Sequence, residues 1–278
     1  MGAANRKDKF IYALFWLSGL IIVGILVSII GYVVVKGISS VNFEFLFQPP
    51  RHAGEEGGIS TAIVGTLYLT LLALLLAVPI GVGAAVYLEE YAHSRSKFAY
   101  IVNLTAETLA GIPSIVFGLF GFVFLVIFLN LGWSLLSGGI TLAIMILPTI
   151  TRTAQEAILT LPREYRENSL ALGASKWQTI KKVIIPFAMP GIVTGIILSI
   201  GRAVGETAAL ILTAGSSLGM PISVFDPART MSVHLYMLAM EGISMERAFG
   251  TAFLIVILIL IINYLANLSL RKFSQATR

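Results

Sequence analysis

The sequence predicts an all-α integral membrane protein with six transmembrane helices. Two observations predict it. Of the 278 residues, 57% are hydrophobic and 12% charged, with a mean hydropathy of +0.90. Soluble domains carry about 25% charged residues, so this chain lacks the polar surface to coat a water-soluble globule. Six apolar segments, at roughly 10–36, 60–88, 98–129, 139–161, 186–214 and 249–270, each supply the ~20 residues a helix needs to cross a bilayer.

The first span follows Arg6, Lys7 and Lys9 and runs from Phe10 to Val35. A cleaved leader has an apolar core of only about 7–15 residues, so this segment reads as an uncleaved helix. The second span carries Pro79 with Gly81 and Gly83, and the third carries Gly111, Pro113, Gly118 and Gly121. Pro148 sits in the fourth, and Pro186 and Pro190 open the fifth. Proline removes a backbone hydrogen bond and bends a helix. Bends in four of six spans favour a moving machine over a static anchor.

Orientation follows from Lys and Arg, which concentrate on the cytoplasmic side. One set of span ends holds 13 of them, and the opposite set holds only Lys36, Arg51, Arg229 and Arg247. Both termini and the 162–185 connection therefore belong in the cytoplasm. Residues 1–9 and 271–278 form short tails, and residues 10–270 form one six-helix domain that includes the 162–185 loop. The net charge of +5 and pI of about 9.5 are explained by this asymmetry, which removes the case for nucleic acid. The chain has no cysteine, which excludes disulfides and thiol chemistry, and its histidines, His52, His93 and His234, are far apart in sequence.

The 162–185 connection is too polar to cross and too patterned to be a plain linker. Pro162 suits a first helical turn, Gly173 suits a left-handed stop, and Ser175 with Gln178 forms a capping-box pattern that starts a second helix. Tyr165, Ser169 and Leu172 share one face of the first helix, with Arg163, Arg166 and Glu167 elsewhere. Two readings fit this pattern: a rigid projecting knob, or an amphipathic helix lying on the lipid surface.

The fifth span places charge inside an apolar segment. Gly191, Gly195, Ser199, Arg202, Glu206, Ala209 and Thr213 recur at intervals of three and four, which puts them on one helical face. Such a stripe of small and polar residues turns Arg202 and Glu206 into the bundle. A structural ion pair is one explanation. A pathway is the other, because an intramembrane charge costs about 2.5–3.5 kcal/mol to insert and cheaper packing residues exist. A guanidinium binds carboxylate or phosphate oxygens in pairs and stays charged, so the cargo expected is an oxyanion. Arg152 and Glu156 repeat the spacing near the inner end of the fourth span, where Arg152 can also reach the interface. Glu107 reads as structural.

Two stretches resemble a known family. Glu167, Asn168, Ser169, Gly173, Val183, Ile185 and Pro186 follow the E-A-A-x3-G-x9-I-x-L-P spacing of the cytoplasmic loop in permeases of ATP-binding-cassette importers, with Asn168 and Ser169 in place of the two alanines. Arg202, Gly205, Glu206, Thr207, Ala208 and Leu210 are similar to the R-x-x-G-E-T-A-P-L pattern of phosphate-specific importer permeases, with Ala209 at the proline position. "GGISTAIVGTLY" and "LAGIPSIVFGLFG" also resemble that family, and "HLYMLAMEGISMERAFGTA" is most like its PstA subunit. The resemblance implies a type I ABC importer permease fold in a prokaryotic cell membrane. It implies a PstC-like second permease, a PstB-like ATPase dimer, a PstS-like phosphate-binding protein outside, and inorganic phosphate as cargo. Tyr165, Glu167, Ser169, Leu172, Gly173 and Ala174 would make the contact with the ATPase.

The candidate path residues are Arg202, Glu206, Arg152, Ser199 and Thr207. Arg202 attracts the anion, and charge balance gives Glu206 the task of restraining Arg202 so that the anion can leave. The chain contains no Gly-Lys dipeptide, hence no phosphate-cradling G-x-x-x-x-G-K-[ST] loop. No cofactor is expected on this chain; ATP and Mg belong to the ATPase subunit. The alternatives are a permease for sulfate or molybdate, a gradient-driven secondary transporter with Arg202 and Glu206 as a relay, and a membrane scaffold.

Overall fold

The computed structural model of the protein describes the backbone of residues 2–92 and 96–276, and the side chains of residues 8–92 and 96–268. Helix α1 (Gly2–Gly37) leads to the short α2 (Phe43–Phe47), capped by the Asn42 side chain, which accepts from the Phe45 amide at 2.8 Å. A two-stranded hairpin pairs Pro50–Arg51 with Glu56–Gly57. Helix α3 (Ser60–Val86) ends in a π-helical turn, Tyr87–Tyr91. Then come α4 (Lys97–Gly111), α5 (Ser114–Gly121) with its π-helical extension Phe122–Phe128, and α6 (Leu135–Leu159). The polar connection folds as α7 (Arg163–Ala171) and α8 (Lys176–Thr179), and continues through Ile180–Ile184 into α9 (Ile185–Gly205). Helices α10 (Ala208–Thr213), α11 (Met231–Met240) and α12 (Met245–Ala276) complete the chain.

Helix α6 is the axis of the bundle. It packs most extensively on α3 and next on α9. Leu142, Met145, Ile146 and Ile150 of α6 meet Leu69, Ala73 and Ala77 of α3 in the central core. Small residues set this close approach: a Cβ on Gly81 would lie 2.9 Å from Ile150, and one on Gly138 2.7 Å from Ala214. In lipid, helix pairs gain from such packing more than from hydrophobicity, because the surroundings are already apolar. Helix α1 is the opposite case. Its apolar side chains are exposed along the span, and it touches the bundle chiefly through α12. A helix that is apolar all round and uncovered by protein belongs in lipid.

Among the described residues, five helices are long and apolar enough to cross, and α4 with α5 and its extension makes a sixth if the bent pair is one span. That pair carries the bend expected in the 98–129 segment from Pro113, but as a full break between two helices. Its two limbs meet at 105°, and Ile112 and Pro113 are both extended, with ψ of 133° and 141°. Pro113 has no N–H to continue the ladder, and its ring disfavours a helical Ile112. Pro79, Pro148 and Pro190, by contrast, lie inside helices that continue past them.

A correction concerns 186–214. The helix leaves its path at Glu206, where φ is −72° and ψ is 131°, and resumes at Ala208 after Thr207 (φ −123°, ψ −56°). No proline lies at this break.

Candidate translocation path and coupling loop

The first half of the small-residue stripe on α9 does what its spacing predicts. A Cβ on Gly191 would overlap Ala157, and one on Gly195 would overlap Thr153, both on α6. Ser199 is fully buried, and its hydroxyl donates to the Gly195 carbonyl at 2.8 Å within its own helix. The second half does not continue the stripe. Ala209 and Thr213 lie on α10 and pack against α5, where a Cβ on Gly118 would sit 2.7 Å from the Ala209 Cα and one on Gly121 2.7 Å from the Thr213 Cγ2.

Arg202 and Glu206 therefore do not form a pair on one helical face. Glu206 is buried, and its Oε1 accepts from the Ala209 amide at 3.0 Å, which caps α10. Its backbone carbonyl accepts from the Ser232 hydroxyl at 2.6 Å. The Thr207 hydroxyl donates to the Gly205 carbonyl at 3.4 Å. Arg202 is half-buried and makes no hydrogen bond or ion pair among the described residues. Gly201 and Gly205 beside it face open space, with nothing within 4 Å of an added Cβ. A permanent cation thus stands on an open glycine face of a membrane helix, next to an interruption in the backbone.

Arg152 is different. It forms an ion pair with Glu107 of α4 at 3.3 Å, and its helical neighbour Glu156 is exposed. One turn further on, the Gln155 amide donates to Asn103 and to Glu89, both at 3.0 Å. Gln155 is 5% exposed, and its Oε1 has no partner. The first limb of the bent pair is thereby fastened to α6 by polar contacts on two successive turns.

In the connecting loop, Gly173 has the expected left-handed φ of +85°, and Ser175 with Gln178 makes both bonds of a capping box. The faces of α7 differ from the expectation. Arg166 points inward, donating to Glu90 at 2.8 Å and to the Leu161 and Ile158 carbonyls at 2.7 and 2.9 Å. It adds bonds to carbonyls at and just beyond the end of α6 while tying α7 to the turn that follows α3. Ser169 also faces inward, 2.9 Å from the Thr179 hydroxyl, whereas Leu172 is 90% exposed and does not share that face. The Tyr165 ring lies 6.2 Å from that of Phe187. Glu167 and Gly173 are exposed, and Ala174 is half-buried. Tyr165, Leu170, Leu172 and Trp177 stand out as exposed apolar groups on a short, pinned element.

At the other end of the bundle, α11 lies under the hairpin. Arg229 donates to the Ser216 carbonyl at 2.9 Å and to His234 Nδ1 at 3.3 Å. The Nδ1 is then an acceptor, so the ring proton sits on Nε2, which is buried without a partner. Burial first, then Arg229 and Arg247, push the His234 pKa down to about 4. Gly54, at φ +106°, approaches so closely that a Cβ there would lie 2.7 Å from the ring. Arg247 donates to the Gly57 carbonyl and lies 5.3 Å from the centre of the Phe45 ring. Ser232, Gln155, Arg166 and His234 were not legible as functional residues, because the partners that give each its place lie on other elements.

The structure is a kinked apolar bundle with a cation unpaired among the described residues and a pinned polar loop at its basic end, an arrangement that fits a membrane permease subunit. Residues 77–278 match the family described as binding-protein-dependent transport system inner membrane component, and the chain belongs to that family. It is 34% identical over 281 residues to the probable ABC transporter permease protein YqgI of Bacillus subtilis, covering 95% of each chain. It is 32% identical over 264 residues to the phosphate transport system permease protein PstA of Mycobacterium leprae, covering 92% of this chain and 86% of that one. Among solved structures, a bacterial ABC transporter that imports the acidic polysaccharide alginate superposes with a TM-score of 0.70 at 17% identity, covering 96% of each chain. An inward-facing MetNI methionine transporter superposes with a TM-score of 0.63 at 20% identity, covering 78% of this chain and 94% of that one. The relatives are named as permeases of transport systems, not as enzymes, and the protein is a multi-pass membrane permease of this class.

Proposed function

We propose that this chain is the PstA-like permease subunit of an ATP-driven phosphate importer, with both termini in the cytoplasm. The observation that carries the reading is Arg202, unpaired on an open glycine face beside the break in the fifth span. The PstA relatives support phosphate among the oxyanions a guanidinium can hold. A PstC-like second permease supplies the other half of the path and faces Arg202. A PstS-like binding protein delivers phosphate at the outer end. A PstB-like ATPase dimer, which carries ATP and Mg, receives the exposed Tyr165, Glu167, Leu172 and Gly173 surface, while Ser169 and Ala174 shape the turn beneath it. Arg166 supports this coupling role, because it joins α7 to the ends of α3 and α6 and gives a push on the loop two helices to move. Arg152 serves near the inner exit, held by Glu107. Thr207 and Glu206 belong to the path through the shape of the break, and Ser199 through the packing of α9 on α6.

The test is phosphate uptake by the assembled complex carrying Arg202→Gln. Uptake is abolished while all subunits still co-purify. Normal uptake by that variant removes the path assignment, and wild-type uptake of sulfate in place of phosphate reassigns the cargo.

A further inference from the structure

We propose that Ser232 and the Glu206 carboxylate are positioning groups that hold the fifth span open at its break, and so set where Arg202 stands. In an unbroken helix the Glu206 carbonyl would accept from the amide four residues on. At the break it is an orphan, and in lipid an unsatisfied carbonyl must find a partner within the protein. Ser232, 5% exposed on α11, provides it at 2.6 Å. The Glu206 carboxylate satisfies one of the free amides in the first turn on the other side, that of Ala209, at 3.0 Å. The break is therefore stabilised by groups that a continuous helix would not need.

Ser232 is itself anchored. Its hydroxyl lies 3.0 Å from that of Thr230, and the adjacent Met231 amide donates to Thr66 on α3 at 2.9 Å. A chain of short polar contacts thus runs from α3 through the start of α11 to the residue after Gly205. The turn that bears Arg202 is fixed to the core at both ends: by Gly191 and Gly195 against α6, and by Ser232 across the break. Losing either polar contact favours closure of the helix or loosening of the break, and both move Arg202. This gives Glu206 a task that needs an acceptor oxygen and not a charge opposite Arg202.

The inference rests on the anion-path reading of Arg202, and its test separates the two. The complete transporter is prepared with Ser232→Ala, Ser232→Thr and Glu206→Gln in this chain. Deuterium uptake of the peptide spanning residues 205–211 is measured beside the KM and Vmax for inorganic phosphate. Ser232→Ala speeds exchange in that peptide and lowers Vmax by about tenfold, the size expected for one buried hydrogen bond with an orphaned partner, with subunit assembly unchanged. Ser232→Thr, which keeps the hydroxyl, stays near wild type in both readouts, and Glu206→Gln, which keeps an acceptor oxygen, stays near wild type in exchange. Unchanged exchange in Ser232→Ala overturns the proposal, as does faster exchange in Glu206→Gln, since that result shows that an acceptor oxygen without the charge does not hold the break. The exchange readout does not depend on the cargo. A failed anion path would show as normal uptake in Arg202→Gln, and a failed brace as normal exchange in Ser232→Ala.

Discussion

Arg152 and Arg202 each precede a glutamate by four residues on an apolar helix, yet they end in different states. On α6 the helix continues, Glu156 stays exposed, and Arg152 reaches across to Glu107 on α4 at 3.3 Å. On α9 the helix stops at Gly205, Glu206 turns to cap α10, and Arg202 is left without a partner among the described residues. In neither case does the pair suggested by spacing form. The difference teaches that i, i+4 spacing promises a shared face only while the backbone stays helical. Even then a partner on a neighbouring helix can win. It also separates two uses of a membrane arginine: one is already satisfied within the chain, and the other is held ready for something outside it.

The contrast can be broken most sharply at the free arginine. Arg202→Gln lowers phosphate uptake by about 100-fold or more, the upper range for losing hydrogen bonds from a charged group, while Arg152→Gln changes it only a few-fold. Equal losses in the two variants, measured side by side in the assembled complex, would erase the distinction. The packing beneath Arg202 comes next. Gly195→Val must displace Thr153, and overfilling a close contact costs about 1–3 kcal/mol. The expected result is a lower thermal midpoint for the purified protein, with Gly201→Ala, in open space, unchanged.

A third arginine extends the comparison outside the spans. Arg229 shares a proton-poor contact with buried His234, whose pKa is pushed from 6.5 down to about 4. The unfolded chain therefore binds this proton more tightly than the folded one. Stability is fully present above pH about 6.5 and falls as the pH drops toward about 4, levelling off below. Thermal melts across that window should show the slope, and His234→Gln should flatten it. Smaller still is the paired arginine. A double-mutant cycle between Arg152 and Glu107 is expected to give a coupling of about 0.2–1 kcal/mol, because both side chains are substantially exposed. Smallest is Glu156→Gln, which should match wild type in uptake and melting; a clear loss would restore the Arg152–Glu156 pair that spacing suggested.

Much of the fold was legible because lipid imposes length and composition on each span. The loop was legible for another reason: Gly173, Ser175 and Gln178 act within a few residues of one another, and local chemistry needs no tertiary context. The site was only half legible. Gly191 and Gly195 pack on α6 as their spacing requires. Glu206 does not follow, because a residue on α11, 26 positions away along the chain, competes for its carbonyl. Pro113 and Pro190 make the same point for bends. Both are prolines in apolar segments, and only the first breaks its helix. Proline removes one hydrogen bond wherever it sits, but whether the helix continues depends on what neighbouring helices offer the freed groups.

The sequence by itself determined that this protein lives in a membrane, that its basic residues gather at one set of span ends, and that Arg202 lies in an apolar segment. These follow from hydrophobicity and charge, which are properties of residues. Only the tertiary structure decided that the third span bends through 105°, that the fifth is interrupted at Glu206, and that Arg152 is paired while Arg202 is not. Those outcomes turn on which polar group satisfies which backbone atom in a medium without water. That competition is settled between helices far apart in sequence.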